Sequence, residues 1–526
     1  MKHLFHFQKF LTLNTLLFVL LFAFSACDTT KNVTNNTKNN GHLDPVVAKN
    51  TDPKDTTQSG TYTPVTSVGN DGNDPRPTPQ TDTVTWCDTI QETAFKQIVV
   101  CFEKVGTNAP TTDTVDVIEI NRDALFSSTT VDSTIEQKLA YKVVVLMPFM
   151  SKNFVPTPVK EVPSRSIKAV EFYEGVRMAL DSLQEEGVSL FVNVFDSQRD
   201  TNVVKQLLQQ RELQEADLII GPVTSNNLRL VADFAKNNET TLISPFNTRT
   251  DITTDNPYYI QVAPSFKIHS DYIVDHIHKI EPNPIIRTPM EKNMMILGLT
   301  RDSARIAQVQ ESYAAYKNDT SASIPALIRE NATINIDVIR PYLQRDKLNI
   351  IIMPTYQNEG FVYNSLREIQ TLVDKVEPRR GYQIAIVGMN RWKYYNRINF
   401  EYFESMNLHL SSPYFTNREE ADVQRFRNDY KALYGIGLRE FGFMGYDMML
   451  YFGRMIHKYG INFPPHLWKE NAQYLHTKFQ IQPSYEQLAP LDAGSNQNRS
   501  TVLRGYENYY LNFLEFKNYK LQKVNE

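Results

Sequence analysis

Hydrophobic and polar positions follow two alternating patterns after about residue 141. Lys142–Met147 is a continuous apolar run of strand length, typical of a strand buried on both faces of a parallel sheet. Apolar residues then recur at three- and four-residue spacing from Val170 to Leu183, which predicts an amphipathic helix that ends near Gly187. A buried strand is therefore followed by a helix.

The strand and helix patterns repeat down the chain, which predicts βαβ units and open parallel sheets. The first set has strands at Leu190–Phe195, Asp217–Ile220, Thr240–Ile243 and Tyr258–Val262, with helices at Asn202–Leu213 and Ser225–Lys236. The second set has strands at Met294–Leu299, Ile334–Ile339, Ile350–Met353 and Ile384–Val387, with helices at roughly 265–280, 303–317 and 360–374. Helices at Arg418–Tyr434 and Met444–Tyr459 and a strand at Tyr509–Phe516 follow. The fold class is α/β, with two doubly wound, Rossmann-like lobes and a cleft between them.

The N-terminus carries an export pattern. Lys2 and Lys9 precede an apolar run that is too short to span a hydrocarbon core of about 30 Å, which favours a signal peptide over an anchor helix. Phe24–Cys27 then resembles the lipobox of bacterial lipoproteins. We predict a signal peptide over residues 1–26 and lipid attachment at Cys27; an ordinary signal peptide cut after Ser25 or Ala26 is the alternative.

Two further segments precede the main body. Residues 27–85 have almost no large apolar side chains and are predicted to form a disordered tether. Residues 86–140 contain strand patterns at Phe95–Phe102 and Val115–Ile120 and are predicted to form a small β-rich lead-in. In an exported protein Cys87 and Cys101 could form a disulfide worth on the order of 3 kcal/mol, and two free thiols are the alternative.

Composition and charge exclude several classes of protein. With 55 basic and 59 acidic residues in a chain of 526, the protein lacks the basic field that drives nucleic-acid binding. All 3 cysteines lie in the N-terminal fifth, so the main body has neither a disulfide framework nor a thiolate metal site.

Five segments together resemble the type I periplasmic binding proteins, whose best-known members bind leucine, isoleucine and valine. They are Phe172–Ala179, Val194–Gln198, Ile219–Ser225, Leu242–Pro245 and Phe443–Asp447. The resemblance covers about residue 141 to the C-terminus. It implies two lobes that close on a ligand, with lobe 1 formed by about 141–262 and 416–490 and lobe 2 by about 263–415 and 491–526.

Ligands of open α/β sheets bind beyond the carboxyl ends of the strands, and this rule selects candidate residues. Thr224 and Ser225 follow a strand and can hold an anionic group such as a carboxylate, or can serve as plain helix caps. The resemblance implies ligand contacts for the next loop and for two strand ends of the second lobe. These candidates are Ser244, Phe246, Asn247 and Thr248 on the first lobe and Tyr356 and Asn390 on the second.

One loop departs from the family pattern. Amino-acid-binding members place an acidic residue on the second lobe to meet the ligand's ammonium group, whereas Gly388–Lys393 is basic. Glu359 in the neighbouring loop could supply a carboxylate. Otherwise the cleft suits a neutral or anionic ligand, or none, and Arg391 and Lys393 could equally be solvated outside it.

Sequence motifs of enzymes are missing. There is no Gly-x-Ser-x-Gly elbow, Walker loop or His-Glu-x-x-His motif, and the spacing of His269, His276 and His278 does not fit zinc. We therefore expect no enzyme, no metal and no cofactor. The aromatic residues between Trp392 and Phe403 could stack on sugar rings, but such clusters more often pack between lobes.

The leading functional hypothesis is a lipid-anchored cell-envelope protein, on the periplasmic face or the outer membrane, that closes its lobes on a small polar solute. Such a protein would feed an ABC transporter permease. The alternative is a non-transport interaction protein similar to the lipoprotein activators of penicillin-binding proteins, with a cell-wall synthase as its partner. The long tether and the missing acidic residue favour the alternative.

Overall fold

The computed structural model describes residues 83–93, 96–105, 129–132, 135–153, 162–282, 290–373, 381–487 and 501–524. The predicted signal peptide, Cys27, most of the predicted tether and the predicted strand Val115–Ile120 lie outside these residues. Within the described ranges, no helix combines the length and the apolar character that crossing a bilayer requires.

Two short hairpins precede the main body. β1 (Thr83–Thr93) pairs with β2 (Lys96–Val105), and β3 (Thr129–Asp132) pairs with β4 (Ile135–Gln137), both in antiparallel fashion. The register of the first hairpin places Cys87 directly opposite Cys101. This position is compatible with the disulfide, which stays a prediction.

The first lobe begins with strands and helices that alternate as the sequence pattern predicts. In chain order they are β5 (Tyr141–Met147), α1 (Ile167–Glu185), β6 (Leu190–Asp196), α2 (Thr201–Leu207), α3 (Arg211–Gln214), β7 (Leu218–Ile220), α4 (Ser225–Asn237), β8 (Thr241–Ser244) and β9 (Tyr259–Gln261). The strands run parallel in the order β6-β5-β7-β8-β9. Residues Val143–Met147 are fully buried, because helices cover both faces of the sheet.

The second lobe repeats this architecture. In chain order its elements are α5 (Phe266–His276), β10 (Lys292–Leu299), α6 (Ser303–Lys317), β11 (Ala326–Arg329), α7 (Ile336–Ile339), β12 (Leu348–Ile352), α8 (Glu359–Thr371), β13 (Gln383–Met389), α9 (Phe400–Ser405) and β14 (Leu408–Ser412). The strands run parallel in the order β11-β10-β12-β13-β14. The predicted α/β fold class is thus confirmed.

The strand predicted at Ile334–Ile339 is wrong. Part of this segment is the short helix α7, and the edge strand of the sheet is β11. The Asn335 side chain accepts a hydrogen bond from the Asp337 N–H at 3.1 Å, the local bond of a helix N-cap. Pro341 follows in a 3₁₀ turn, where a strand would have lost a hydrogen-bond donor.

The chain then returns to the first lobe and crosses once more to the second. The elements are α10 (Ala421–Tyr434), α11 (Glu440–Tyr459), β15 (Ala472–Gln473), β16 (Lys478–Phe479), β17 (Ile481–Gln487), β18 (Thr501–Asn508), β19 (Asn512–Lys517) and β20 (Lys520–Lys523). β15 and β16 form a two-stranded ribbon. β18 lies between β17 and β9 in the first sheet, whereas β19 and β20 extend the second sheet beyond β14.

The lobe boundary predicted near residue 491 needs a correction, because β18 belongs to the first sheet. Within β18, Arg504 and Glu507 form a buried ion pair, and Glu507 also joins the strand to the first crossover between the lobes. Glu507 Oε1 accepts hydrogen bonds from the Ser265 N–H at 2.6 Å and from the Gln261 side-chain amide at 3.2 Å. The chain therefore crosses to the second lobe for the last time only after β18.

Helices α1 and α11 approach each other closely through glycines. A Cβ atom on Gly175 would lie 1.9 Å from the Gly442 carbonyl oxygen, and a Cβ on Gly445 would lie 1.9 Å from the Phe172 carbonyl oxygen. No larger residue fits at either point without moving a helix. Two of the segments that carry the family resemblance, Phe172–Ala179 and Phe443–Asp447, therefore meet in the first lobe.

Candidate ligand site between the lobes

The first-lobe candidates gather at the carboxyl ends of β7 and β8. Thr224 is the N-cap residue of α4, but its hydroxyl makes no capping bond. Ser225 Oγ donates to Asn247 Oδ1 at 3.5 Å, which is a long hydrogen bond. The buried hydroxyls of Thr224 and Ser244 have no hydrogen-bond partner among the described residues. A ligand atom or a water could satisfy both.

The loop after β8 also contributes an aromatic wall. The Phe246 ring centroid lies 5.5 Å from that of Phe172 and 5.7 Å from that of Phe441, so the loop contacts α1 and α11. The Asn247 side-chain amide donates to the Arg249 carbonyl at 3.2 Å. Thr248 is exposed. Phe246 therefore lies in apolar contacts, and its predicted contact with a ligand remains a prediction.

On the second lobe, Tyr356 follows β12 and its ring lies near two guanidinium groups. The Cζ atoms of Arg305 and Arg391 are 5.8 and 5.9 Å from its ring centroid, within cation–π distance. Burial raises the pKa of Tyr356, and the charges of Arg391, Lys393 and Arg305 oppose this change. The carboxylate of Glu440, at the start of α11 in the first lobe, acts on the same ring. Tyr356 therefore lies at the boundary between the lobes.

The carboxylates of the second lobe near Tyr356 are engaged by other protein groups. Asp302 is 4% exposed and accepts hydrogen bonds from Arg305 at 3.0 Å and from the Thr355 hydroxyl at 2.7 Å. Glu359 is the acid that the sequence analysis suggested for an ammonium group. Its carboxylate accepts a hydrogen bond from the backbone N–H of Arg397 at 2.6 Å. Arg305 is therefore paired with Asp302, whereas Arg391 forms no ion pair with a described residue and is the free cation beside the Tyr356 ring.

A buried tryptophan fixes the loop that carries the basic residues. Asn390 begins the 3₁₀ turn Asn390–Tyr394, and Trp392 in this turn is fully buried. Its indole N–H donates to the Thr355 carbonyl at 2.9 Å, and its ring fills the space that a Cβ on Gly388 would take. Because the Trp392 indole is buried in the second lobe, the neighbouring side chains of Arg391 and Lys393 lie at the lobe boundary.

An ion pair joins the two lobes across this boundary. Lys393 Nζ lies 3.0 Å from Glu440 Oε1, and His476 Nε2 lies 3.4 Å from the same oxygen. Burial alone would raise the pKa of Glu440, but His476 and Lys393 outweigh burial and lower that pKa to about 2. Burial also lowers the pKa of His476. Glu440 is therefore ionised at neutral pH, and Lys393 carries the balancing charge.

The second crossover lies against this ion pair. Tyr414 is 7% exposed, its ring stacks 4.7 Å from that of His476, and its hydroxyl donates to the Pro245 carbonyl at 3.5 Å. The chain segment that leaves β14 is thus packed between the lobes.

Sequence reasoning missed several residues of this boundary. They are Arg305, Glu440, Tyr414 and His476, and Lys393 was selected only as part of a basic loop. Arg305 lies in the first turn of the helix after β10, so the strand-end rule could have selected it. Tyr414 lies on the second crossover, His476 in the turn of the β15–β16 ribbon and Glu440 at the start of α11. No local pattern indicates where these meet.

A groove of about 1200 Å³ opens beside the same boundary. Lys393, Glu440, Tyr414 and His476 line one end of it, and none of the eight predicted ligand residues lines it. Among the described residues, no group of three or more His, Cys, Asp or Glu side chains is arranged to hold a metal ion.

Comparisons with known proteins agree with this architecture. Residues 172–281 match the family model for the receptor family ligand binding region. No curated protein matches the sequence. A proposed branched-chain amino acid ABC transporter structure from Rhodospirillum rubrum is similar to the chain with a TM-score of 0.51 and 12% identity, over 73% of this chain and 100% of that chain.

Two further structures are similar at lower scores. A substrate-binding protein of an ABC transporter from Desulfitobacterium hafniense, in complex with Leu, has a TM-score of 0.44 and 16% identity over 73% of this chain and 100% of that chain. Full-length LpoA from Haemophilus influenzae has a TM-score of 0.47 and 12% identity over 74% of this chain and 60% of that chain. From the sheet topology and the Rhodospirillum rubrum match, the described chain has the two-lobed fold of the type I periplasmic binding proteins.

Proposed function

We propose that this chain is a cell-envelope protein, lipid-anchored through Cys27, whose two lobes close on a small anionic solute. The observation that supports the proposal is Arg391, which lies 5.9 Å from the Tyr356 ring centroid after a strand of the second lobe and forms no ion pair with a described residue, with Arg305 near the same ring. A carboxylate or phosphate held there would accept charge-assisted hydrogen bonds from planar guanidinium groups, which match it in geometry.

The same geometry argues against a zwitterionic amino acid as the solute. A free amino acid brings an ammonium group that needs a carboxylate, and Asp302, Glu359 and Glu440 are already bonded to protein groups. Removing one of these acids from its partner would cost about 1–3 kcal/mol. We therefore propose delivery of an anionic solute to an ABC transporter permease.

The test is ligand binding by the purified full-length protein. Acetate, succinate, glutamate, leucine and inorganic phosphate would be screened by thermal shift, and hits measured by calorimetry. We expect an anion to raise the melting temperature, and Arg391→Gln to weaken its binding about tenfold through loss of a charged hydrogen bond. Arg397→Gln is the matched control, because the Arg397 side chain is exposed like that of Arg391 but makes no contact with the Tyr356 ring. Tight binding of leucine alone, or no hit at all, would contradict the proposal.

A second candidate function is an interaction protein of the penicillin-binding-protein-activator type, with a cell-wall synthase as partner. The groove beside the lobe boundary favours it, because its volume of about 1200 Å³ exceeds what a small solute needs. Crosslinking in intact envelopes followed by affinity purification would test it. Recovery of no envelope protein would count against this function and leave the cleft proposal standing.

A further inference from the structure

The groove of about 1200 Å³ reaches well beyond the cleft. It runs from the N-terminal ends of α1 and α11, past the crossover segment Tyr414–Glu420, to the hairpin of β19 and β20. All four residues of β20, Lys520–Lys523, line it. A strand therefore forms one wall of the groove.

That strand has an open edge. β20 is the last strand of the second sheet, and its outer edge has no strand neighbour in the described part of the chain. Val524 N–H donates to the Phe513 carbonyl at 3.0 Å, and bonds to one neighbour alternate along an antiparallel strand. The peptide group of Leu521 therefore faces the outer edge. Such an edge is a template on which an extended peptide can add a strand.

The charge of the groove is positive. Seven lysine or arginine side chains and four glutamates line it. Arg418 and Arg427 form no ion pair with a described residue, and Lys168 Nζ lies 4.9 Å over the Phe441 ring. Lys520 pairs with Glu419 at 3.2 Å, but both side chains are exposed, so this pair is weak. A ligand with negative charge is complementary to this rim.

Aromatic surface lies in the groove beside the β19–β20 hairpin. Phe400 is 49% exposed and its ring stacks 5.6 Å from that of Phe516, and Tyr519 is 65% exposed. All three residues line the groove. Successive side chains of an extended peptide point to opposite faces, so apolar side chains could contact these rings while acidic ones meet the basic rim.

We propose that the groove binds an acidic, extended segment of a partner protein, which pairs with β20 as an added strand. A polysaccharide or a lipid headgroup could use the positive charge, but neither could use the open peptide edge at Leu521. This site adjoins the lobe boundary at one end but includes none of the eight candidate ligand residues, and it would give an interaction protein its contact surface.

The test is fluorescence anisotropy with the purified full-length protein and a labelled octapeptide of alternating Glu and Val. A peptide of alternating Lys and Val is the charge control. The double variant Arg418→Glu/Arg427→Glu should weaken binding about tenfold or more, because it reverses two charges of the rim. Arg425→Glu is the control, because Arg425 lies on the same helix as Arg427 but outside the groove. It should change binding less than about twofold.

A second pair of variants tests the strand pairing. Leu521→Pro removes the outer N–H without breaking a bond to β19, and should abolish the anisotropy change, whereas Leu521→Ala should retain it. Hydrogen exchange of wild type should show slower exchange at the Leu521 amide with peptide bound, which tests the pairing even if Leu521→Pro does not fold. Failure of the Glu/Val peptide to bind better than the Lys/Val peptide, or wild-type binding by folded Leu521→Pro, would overturn the proposal. Chondroitin sulfate binding that depends on Arg418 and Arg427 but not on Leu521 would identify a polysaccharide site instead.

Discussion

Asp447 is a fully buried carboxylate inside α11. Its Oδ2 accepts hydrogen bonds from the N–H groups of His476 at 2.9 Å and Thr477 at 2.7 Å, and its Oδ1 has no partner among the described residues. Burial raises its pKa from 3.8 to about 7, although the two N–H groups favour the ionised form. This residue therefore ties the turn of the β15–β16 ribbon to α11 in the first lobe and makes that tie sensitive to pH.

We expect the contribution of Asp447 to the free energy of unfolding to fall as pH rises from 3.8 to about 7. A carboxyl group with a raised pKa stabilises the fold fully below its ordinary value of 3.8, and this contribution is lost as pH rises through about 7. Asp447→Asn keeps the acceptor but cannot ionise. Between pH 5 and pH 8, wild type should therefore lose about 2 kcal/mol relative to the variant in urea denaturation. A constant difference between the two proteins across this pH range would contradict the assignment.

At the scale of elements, the close contact between α1 and α11 leads to a specific prediction about stability. Gly175→Ala or Gly445→Ala places a Cβ atom 1.9 Å from a backbone oxygen, so the helices must separate. We expect each to lower the free energy of unfolding by roughly 3 kcal/mol, measured by urea denaturation. The control is Gly360→Ala in α8, where the nearest atom would be 3.6 Å away and alanine favours the helix. Equal stability of all three variants would show that the helices are not in close contact.

The elements that sequence patterns predicted well are the ones buried on both faces. β5 and β12 contain the continuous apolar runs Val143–Met147 and Ile350–Ile352, so their pattern alone identified them. β14 was missed because His409, Ser411 and Ser412 are buried polar residues that bond within the fold, which a hydropathy pattern cannot show. The segment Ile334–Ile339 shows the opposite error. Its side-chain pattern suggested a strand, but the hydrogen bond of the Asn335 side chain caps a helix.

At the scale of the whole molecule, the pair of Lys393 and Glu440 holds the lobes together. Lys393→Met removes the ammonium group and leaves Glu440, which is 19% exposed, with His476 as its remaining contact. We expect the lobes to open, with a larger radius of gyration in X-ray scattering and a loss of roughly 1–3 kcal/mol in stability. Lys458→Met is the control, because the Lys458–Glu470 pair lies within the first lobe. An unchanged radius of gyration in Lys393→Met would show that other contacts close the lobes.

The site was predictable only as far as local rules extend. The strand-end rule selected Thr224, and the family resemblance selected Ser244 and Tyr356. The structure places Ser244 at the end of β8, and Thr224 and Tyr356 in the loops after β7 and β12. It could not decide which residues of the basic loop reach the lobe boundary. That depends on the Trp392 indole, which fits beside Gly388, and this packing joins residues that no periodicity relates.

The position of β18 and β19 has a consequence for how the protein folds. β18 inserts between β17 and β9, and β19 pairs with β14, so both sheets need residues after 500 to be complete. Neither lobe can therefore finish folding while the chain is still being made or exported, and contacts of such large sequence separation form slowly. The two lobes should acquire their stability together, late, and as one cooperative step.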